Sequence, residues 1–247
     1  MGFKKRMKKI GRYTWELVKM AFPSLFMYFA LSIIVIMLTM GKTLTFSAGK
    51  VTWWAVCLVG VLVYNGLMSY VQGTMGFEML VSGNMKRVSM QELEGGYKMS
   101  SHKEAKEYRA WKGFVVGGIL AIFPLITGIV FGCNQETIDA VFAKDAVQAD
   151  AGFGWIFLLL LLFSGWSTTL FLLINTTGVT ISYFVCIAFA VLPVLLSGFF
   201  YIAGAYGKRR KILKEQELRD REAQKQASIA PKINYGGLPG TKPKKRK

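Results

Sequence analysis

Charge is missing from most of the middle of this chain. No Asp, Glu, Lys, Arg or His lies within residues 21–40, 51–71, 113–132 or 151–207, the last a run of 57 residues. Ionisable side chains inside apolar segments mark proton relays and ion paths, so their absence disfavours a proton-coupled carrier. A carrier built from backbone carbonyls and half-helix ends stays compatible. Histidine is nearly absent too. The single His102 sits in a charged stretch, which rules out a histidine-dependent nucleophile or a multi-histidine metal site within the apolar runs. Cys57, Cys133 and Cys186 have no paired spacing and read as small apolar groups. No Walker loop or dinucleotide fingerprint occurs. These absences predict no enzyme, no catalytic or metal-binding residues and no cofactor.

What is present is grease, sorted from charge. Of 247 residues, 53% are hydrophobic and 18% charged, unlike a soluble domain with a polar shell. A hydrocarbon core of about 30 Å needs roughly 20 helical residues. The fold class is therefore all-α: a polytopic integral membrane helical bundle with about five hydrophobic segments, near 21–40, 51–71, 113–132, 155–174 and 178–206. Residues 1–20 form a basic amphipathic segment, expected as a short helix in the headgroup plane or a frayed flank. Pro23 falls in the opening turn of the first segment, where its missing donor costs little. No cleavable leader is expected, because the first apolar run is long and lacks a small-x-small site.

Residues 72–112 form the one substantial loop, expected to be cytoplasmic. It is methionine-rich, with Met75, Met79, Met85, Met90 and Met99, a surface that accepts varied apolar partners. Gly95-Gly96 marks a turn, and Ser101 to Glu104 has the form of a capping box. A helix starting there, with Lys103 and Glu107 paired, is expected to run unbroken into the third apolar segment. In that segment Gly113, Gly117 and Ala121 share a face, and Gly128 and Gly132 follow Pro124; small residues at this spacing admit a second helix backbone.

The charges then set a parity constraint. Of 31 Lys and Arg, 7 precede residue 20, 7 lie within 72–112 and 14 follow Tyr206, leaving Lys42, Lys50 and Lys144. Positive segments stay cytoplasmic, and five crossings cannot place all three clusters on one side. Either one segment enters and leaves by the same face, or five ordinary spans break the rule. Residues 155–174 would turn at 164–169, or residues 178–206 near Pro193. Non-helical backbone at membrane depth needs protein or a water-filled cavity around it. Ser164, Asn175, Thr176 and Pro193 are therefore the candidate cavity residues.

Residues 207–247 are a basic tail: a charged helix to about residue 226, then a Pro- and Gly-rich end expected to be disordered. Lys208, Arg209, Arg210, Lys211, Lys244, Lys245, Arg246 and Lys247 are candidate contacts to anionic lipid headgroups or to RNA, including the ribosome. The closing KPKKRK also matches a nuclear-import-type cluster. The expected function is a non-catalytic accessory, scaffold or assembly subunit of a bacterial plasma membrane, with both termini cytoplasmic. Its partners would be the bilayer, anionic headgroups and a cytoplasmic or membrane protein. The alternative is a transporter or channel subunit with its cavity at the broken final region.

Overall fold

The charge-free runs form helices because a chain in lipid must satisfy its backbone polar groups internally. The computed structural model describes residues 3–39, 46–91, 101–142 and 151–229. It is helical throughout, with α1 Phe3–Thr39, α2 Ala48–Gln91, α3 Ser101–Lys106, α4 Trp111–Cys133, α5 Gln135–Phe142, α6 Ala151–Asn175, a 3-10 turn Tyr183–Val185 and α7 Cys186–Ile229. Five of these helices are long and apolar enough to cross a membrane, making the chain a helical membrane protein of the multi-pass type. The chain divides into a unit Met1–Lys208 and a second unit Arg209–Lys247, with α7 passing through the boundary.

α1 and α2 outrun the apolar segments that seed them. α1 begins at Phe3, so the basic segment is continuous with the first span and Pro23 lies deep inside the helix, not in its opening turn. α2 continues twenty residues past residue 71, to Gln91, and carries Met75, Met79 and Met85 as helix. Nothing forces a helix to stop where hydrocarbon ends; it stops where capping or proline stops it. The turn at Gly95-Gly96, and Met99, lie outside the described residues.

α3 corrects another expectation. It ends at Lys106, four residues before α4 begins at Trp111. The break is held by Tyr108, whose N–H donates to Gly76 O at 2.9 Å, and by Glu107, which pairs with Arg87 and not with Lys103.

α1 and α4 run parallel to each other and antiparallel to α2 and α7. Gln72 Nε2 donates to Met20 O at one end, while Val35 clusters with Trp54 and Cys57 toward the other. On α4, Gly113 faces Ser197 and Tyr201 and Gly132 faces Phe184. Along α2 and α7, Trp54 meets Phe189, Asn65 accepts from Ser197, and Glu78 pairs with Lys208.

α6 is inserted among these four. Near its start Phe157 stacks on Phe131, with ring centroids 4.9 Å apart, and at its finish Asn175 Nδ2 donates to Asp139 on α5 and to Ile181 O. Its middle reaches deeper: Phe163 stacks on Phe123 at 4.5 Å, and Trp166 lies against Tyr28 at 5.1 Å. Phe123 precedes Phe131 by about 12 Å of helix. Phe157 and Asn175 thus lie near the Phe131 and Asp139 end of α4 and α5, and Phe163 lies farther back along α4.

A non-helical turn was expected at 164–169, but α6 stays helical through it. Ser167 and Thr168 hydroxyls donate to Ser164 O, and Thr169 donates to Gly165 O, so the hydroxyls reinforce the helix. Both backbone groups of Trp166 have partners on other helices, its N–H donating to Ser32 Oγ at 3.3 Å and its carbonyl accepting from Trp54 Nε1 at 2.8 Å. Outside hydrogen bonds to the backbone beside a Ser-Gly pair are the usual support of a bent helix. Pro193 likewise lies inside α7 without ending it.

Candidate functional site

The residues expected around a cavity are held by local bonds and are not drawn together. Ser164 is buried and shares a 2.8 Å hydrogen bond with Thr127. Asn175 closes the link after α6, accepting from Ile181 N at 2.8 Å, while Gly178 takes φ 85° in the same link. Thr176 donates to Leu173 O, and the Pro193 carbonyl backs onto Gly117. The middle of the bundle is filled by Trp166, Tyr28, Phe131 and Tyr183, all at most 2% exposed.

The small residues of α4 lie against α7. A Cβ added at Gly117 would sit 2.6 Å from the Pro193 carbonyl oxygen, and one at Gly113 would sit 2.6 Å from Tyr201 Cβ; Ala121 is buried, and Gly128 and Gly132 face Ile187 and Phe184. A second close approach joins α2 and α7. An added Cβ at Gly73 would meet Tyr201 O at 2.0 Å, and one at Gly204 would meet Tyr70 O at 2.1 Å, so α2 and α7 touch backbone to backbone.

Chemistry concentrates at the end of the bundle that carries the start of α1, the end of α2, α3 and the start of α4. Lys112 is its keystone: only 1% exposed, its Nζ donates to Ala105 O at 2.6 Å and to Glu107 O at 2.5 Å. The ammonium thus caps the C-terminal carbonyls of the short α3, where positive charge is favoured. Above it lies the Tyr13 ring, with Lys112 Nζ at 5.8 Å, Lys9 Nζ at 6.0 Å and the Arg109 guanidinium at 5.3 Å from its centroid. Lys9 pairs with Glu104 at 3.0 Å, and Arg109 reaches the same carboxylate at 3.9 Å. Tyr108 stacks on Tyr201 at 5.3 Å; burial, with a smaller push from Tyr206, raises its phenol above the ordinary range and keeps it neutral.

Two concavities open here. One, of about 560 Å³, is lined by Met20, Gln72, Met75, Met79 and Tyr201, with Glu16 and Glu78 among its polar groups. The other, of about 390 Å³, is lined by Lys9, Ile10, Tyr13, Thr14, Leu17, Arg109 and Trp111. Of the predicted tail contacts, Lys208 pairs with Glu78, while Arg209, Arg210 and Lys211 are exposed on α7. Lys244, Lys245, Arg246 and Lys247 lie outside the described residues. Among the described residues no cluster of His, Cys, Asp or Glu is arranged to hold a metal ion. No family model matches the chain, and no curated protein or solved structure resembles it at a significant level.

Proposed function

We propose that this chain is a non-catalytic accessory, scaffold or assembly subunit of a bacterial plasma membrane. It crosses the bilayer four times, keeps α6 as an intramembrane helix, and has its charged end and both termini on the cytoplasmic side. The observation that carries this reading is the bracing of the charged end. Lys9, Arg87, Glu104, Glu107 and Lys112 tie α1, α2, α3 and the start of α4 together, a rigid platform from which α7 leads into the basic tail. Sidedness follows the sorting of 28 of the 31 basic residues into three segments, two of which have described residues at that end. Lys208, where the third begins, is there too.

Crosslinking in native membranes tests it. The full chain should recover a discrete partner protein that a chain ending at Lys208 does not. The transporter or channel reading draws on a different observation: Tyr28 Oη, Asn65 Nδ2 and Trp166 Nε1 are buried with no hydrogen-bond partner among the described residues. Solute flux through purified protein in vesicles, lost on Asn65→Leu, would favour that reading over the scaffold.

A further inference from the structure

The smaller concavity at the charged end combines features that a general docking surface does not need. Its walls come from two parallel helices, Ile10, Tyr13, Thr14 and Leu17 on α1 and Trp111 at the start of α4, with Arg109 just before it. Leu17 belongs to the buried cluster that joins α1 to Val116 and Leu120 of α4, so the floor is the apolar seam between these helices. The next turns of the same helices carry exposed Val18, Val115 and Ile122. Trp111 is 44% exposed, at the boundary where charge gives way to apolar sequence, the usual place of an interfacial tryptophan.

The rim is cationic beyond what its carboxylates neutralise. Lys9 and Arg109 share the single Glu104 carboxylate. Behind them, Arg87 pairs with the Glu107 carboxylate, while Lys112 Nζ donates to the Glu107 backbone carbonyl. At the rim itself two cations thus meet one carboxylate. The Tyr13 hydroxyl is shielded from solvent and makes no hydrogen bond among the described residues, leaving a donor in the same wall.

We infer that this concavity is a binding site for one anionic phospholipid, with its phosphate between Lys9 and Arg109 and its acyl chains on the α1 and α4 seam. Charge excess selects an anion, and an apolar floor opening toward exposed valines selects an anion with a hydrocarbon body. Basic pockets between membrane helices at the cytoplasmic side are a recurrent form of headgroup recognition. The site is built without the tail's cations. Its cations are fixed by Glu104 and the Tyr13 ring, whereas Arg209, Arg210 and Lys211 lie exposed on a helix.

The test is calorimetric titration of dioctanoyl phosphatidylglycerol into the purified full chain in neutral detergent. Dioctanoyl phosphatidylcholine and inorganic phosphate are the comparison titrants. Saturable binding of the anionic lipid is expected, weakened roughly 10- to 30-fold in the Lys9→Gln, Arg109→Gln double variant. Glu104→Gln removes the competing carboxylate and should bind several-fold more tightly, so the inference stays testable if the double variant folds poorly. Arg209→Gln, Arg210→Gln, Lys211→Gln should bind like the unaltered chain. Equal binding of phosphatidylcholine, displacement by inorganic phosphate at matched concentration, unchanged or weaker binding by Glu104→Gln, or loss of binding in the tail variant would each overturn it.

Discussion

Lys112 shows how a single side chain can hold an end of a bundle together. Replacing it with Met keeps the stem but strands the Ala105 and Glu107 carbonyls, each buried beside it. Leaving buried acceptors unpaired costs about 1–3 kcal/mol, so Lys112→Met should lower the unfolding temperature in detergent and open Lys106 and Arg109 to trypsin. Protection equal to the unaltered chain would show the ammonium is incidental. Neighbouring glycines on α4 give a sharper contrast. Gly117→Ala drives a methyl against the Pro193 carbonyl and should destabilise by about 1–3 kcal/mol, whereas Gly118 has open space around it and Gly118→Ala should stabilise by about 0.5–1 kcal/mol. Opposite signs at adjacent positions, read by thermal unfolding, are the expected outcome. The glycine face on α4 is legible from its spacing alone. Lys112 is not, because a lysine at the end of a charged loop reads as a positive flank, and only the fold brings two carbonyls to it. Gly73 and Gly204 escape notice for a similar reason: each shares its helix with other glycines, Gly76 and Gly207 three residues on, and only the pairing of α2 with α7 singles them out.

At the scale of elements, sequence locates the apolar runs and misjudges how far their helices extend. α1 and α2 keep winding through Lys, Arg and Gln because these are good helix formers, so helix ends and membrane edges do not coincide. Charge parity leads to the expectation that one late segment doubles back; that the 164–169 stretch stays helical is not legible from it. Ser and Thr at 164–169 look like a break, yet their hydroxyls find carbonyls three and four residues back, a choice that packing against Ser32, Trp54 and Thr127 makes. The proposed return of α6 to its own side makes a concrete prediction. In a Cys133→Ser background, Trp155→Cys and Val179→Cys, both at exposed positions flanking the buried stretch of α6, should be labelled by an impermeant maleimide from the same face of sealed vesicles. Labelling from opposite faces would make α6 an ordinary crossing.

For the molecule as a whole, the proposed return of α6 to its own side would reconcile two counts that otherwise conflict. Five helices are long and apolar enough to cross, yet only an even number of crossings lets the amino end, the 72–112 region and the tail share a face. Four crossings with α6 returning to its own side satisfy both, and Lys208, paired with Glu78, leaves the first unit at the end where Lys9 and Arg87 also lie. In the proposed orientation a basic residue near an anionic cytoplasmic leaflet gains about 1 kcal/mol, which is the physical reason for placing the three clusters, 28 residues in all, on one face. Ser89→Cys on α2 and Ser228→Cys on the tail helix, each in the same Cys133→Ser background, should therefore both resist an impermeant maleimide in intact cells and react once the membrane is opened. External protease should leave the carboxyl end uncut. If Ser228→Cys reacts from outside while Ser89→Cys does not, α6 must complete a crossing, and the platform and the tail can no longer act on one partner.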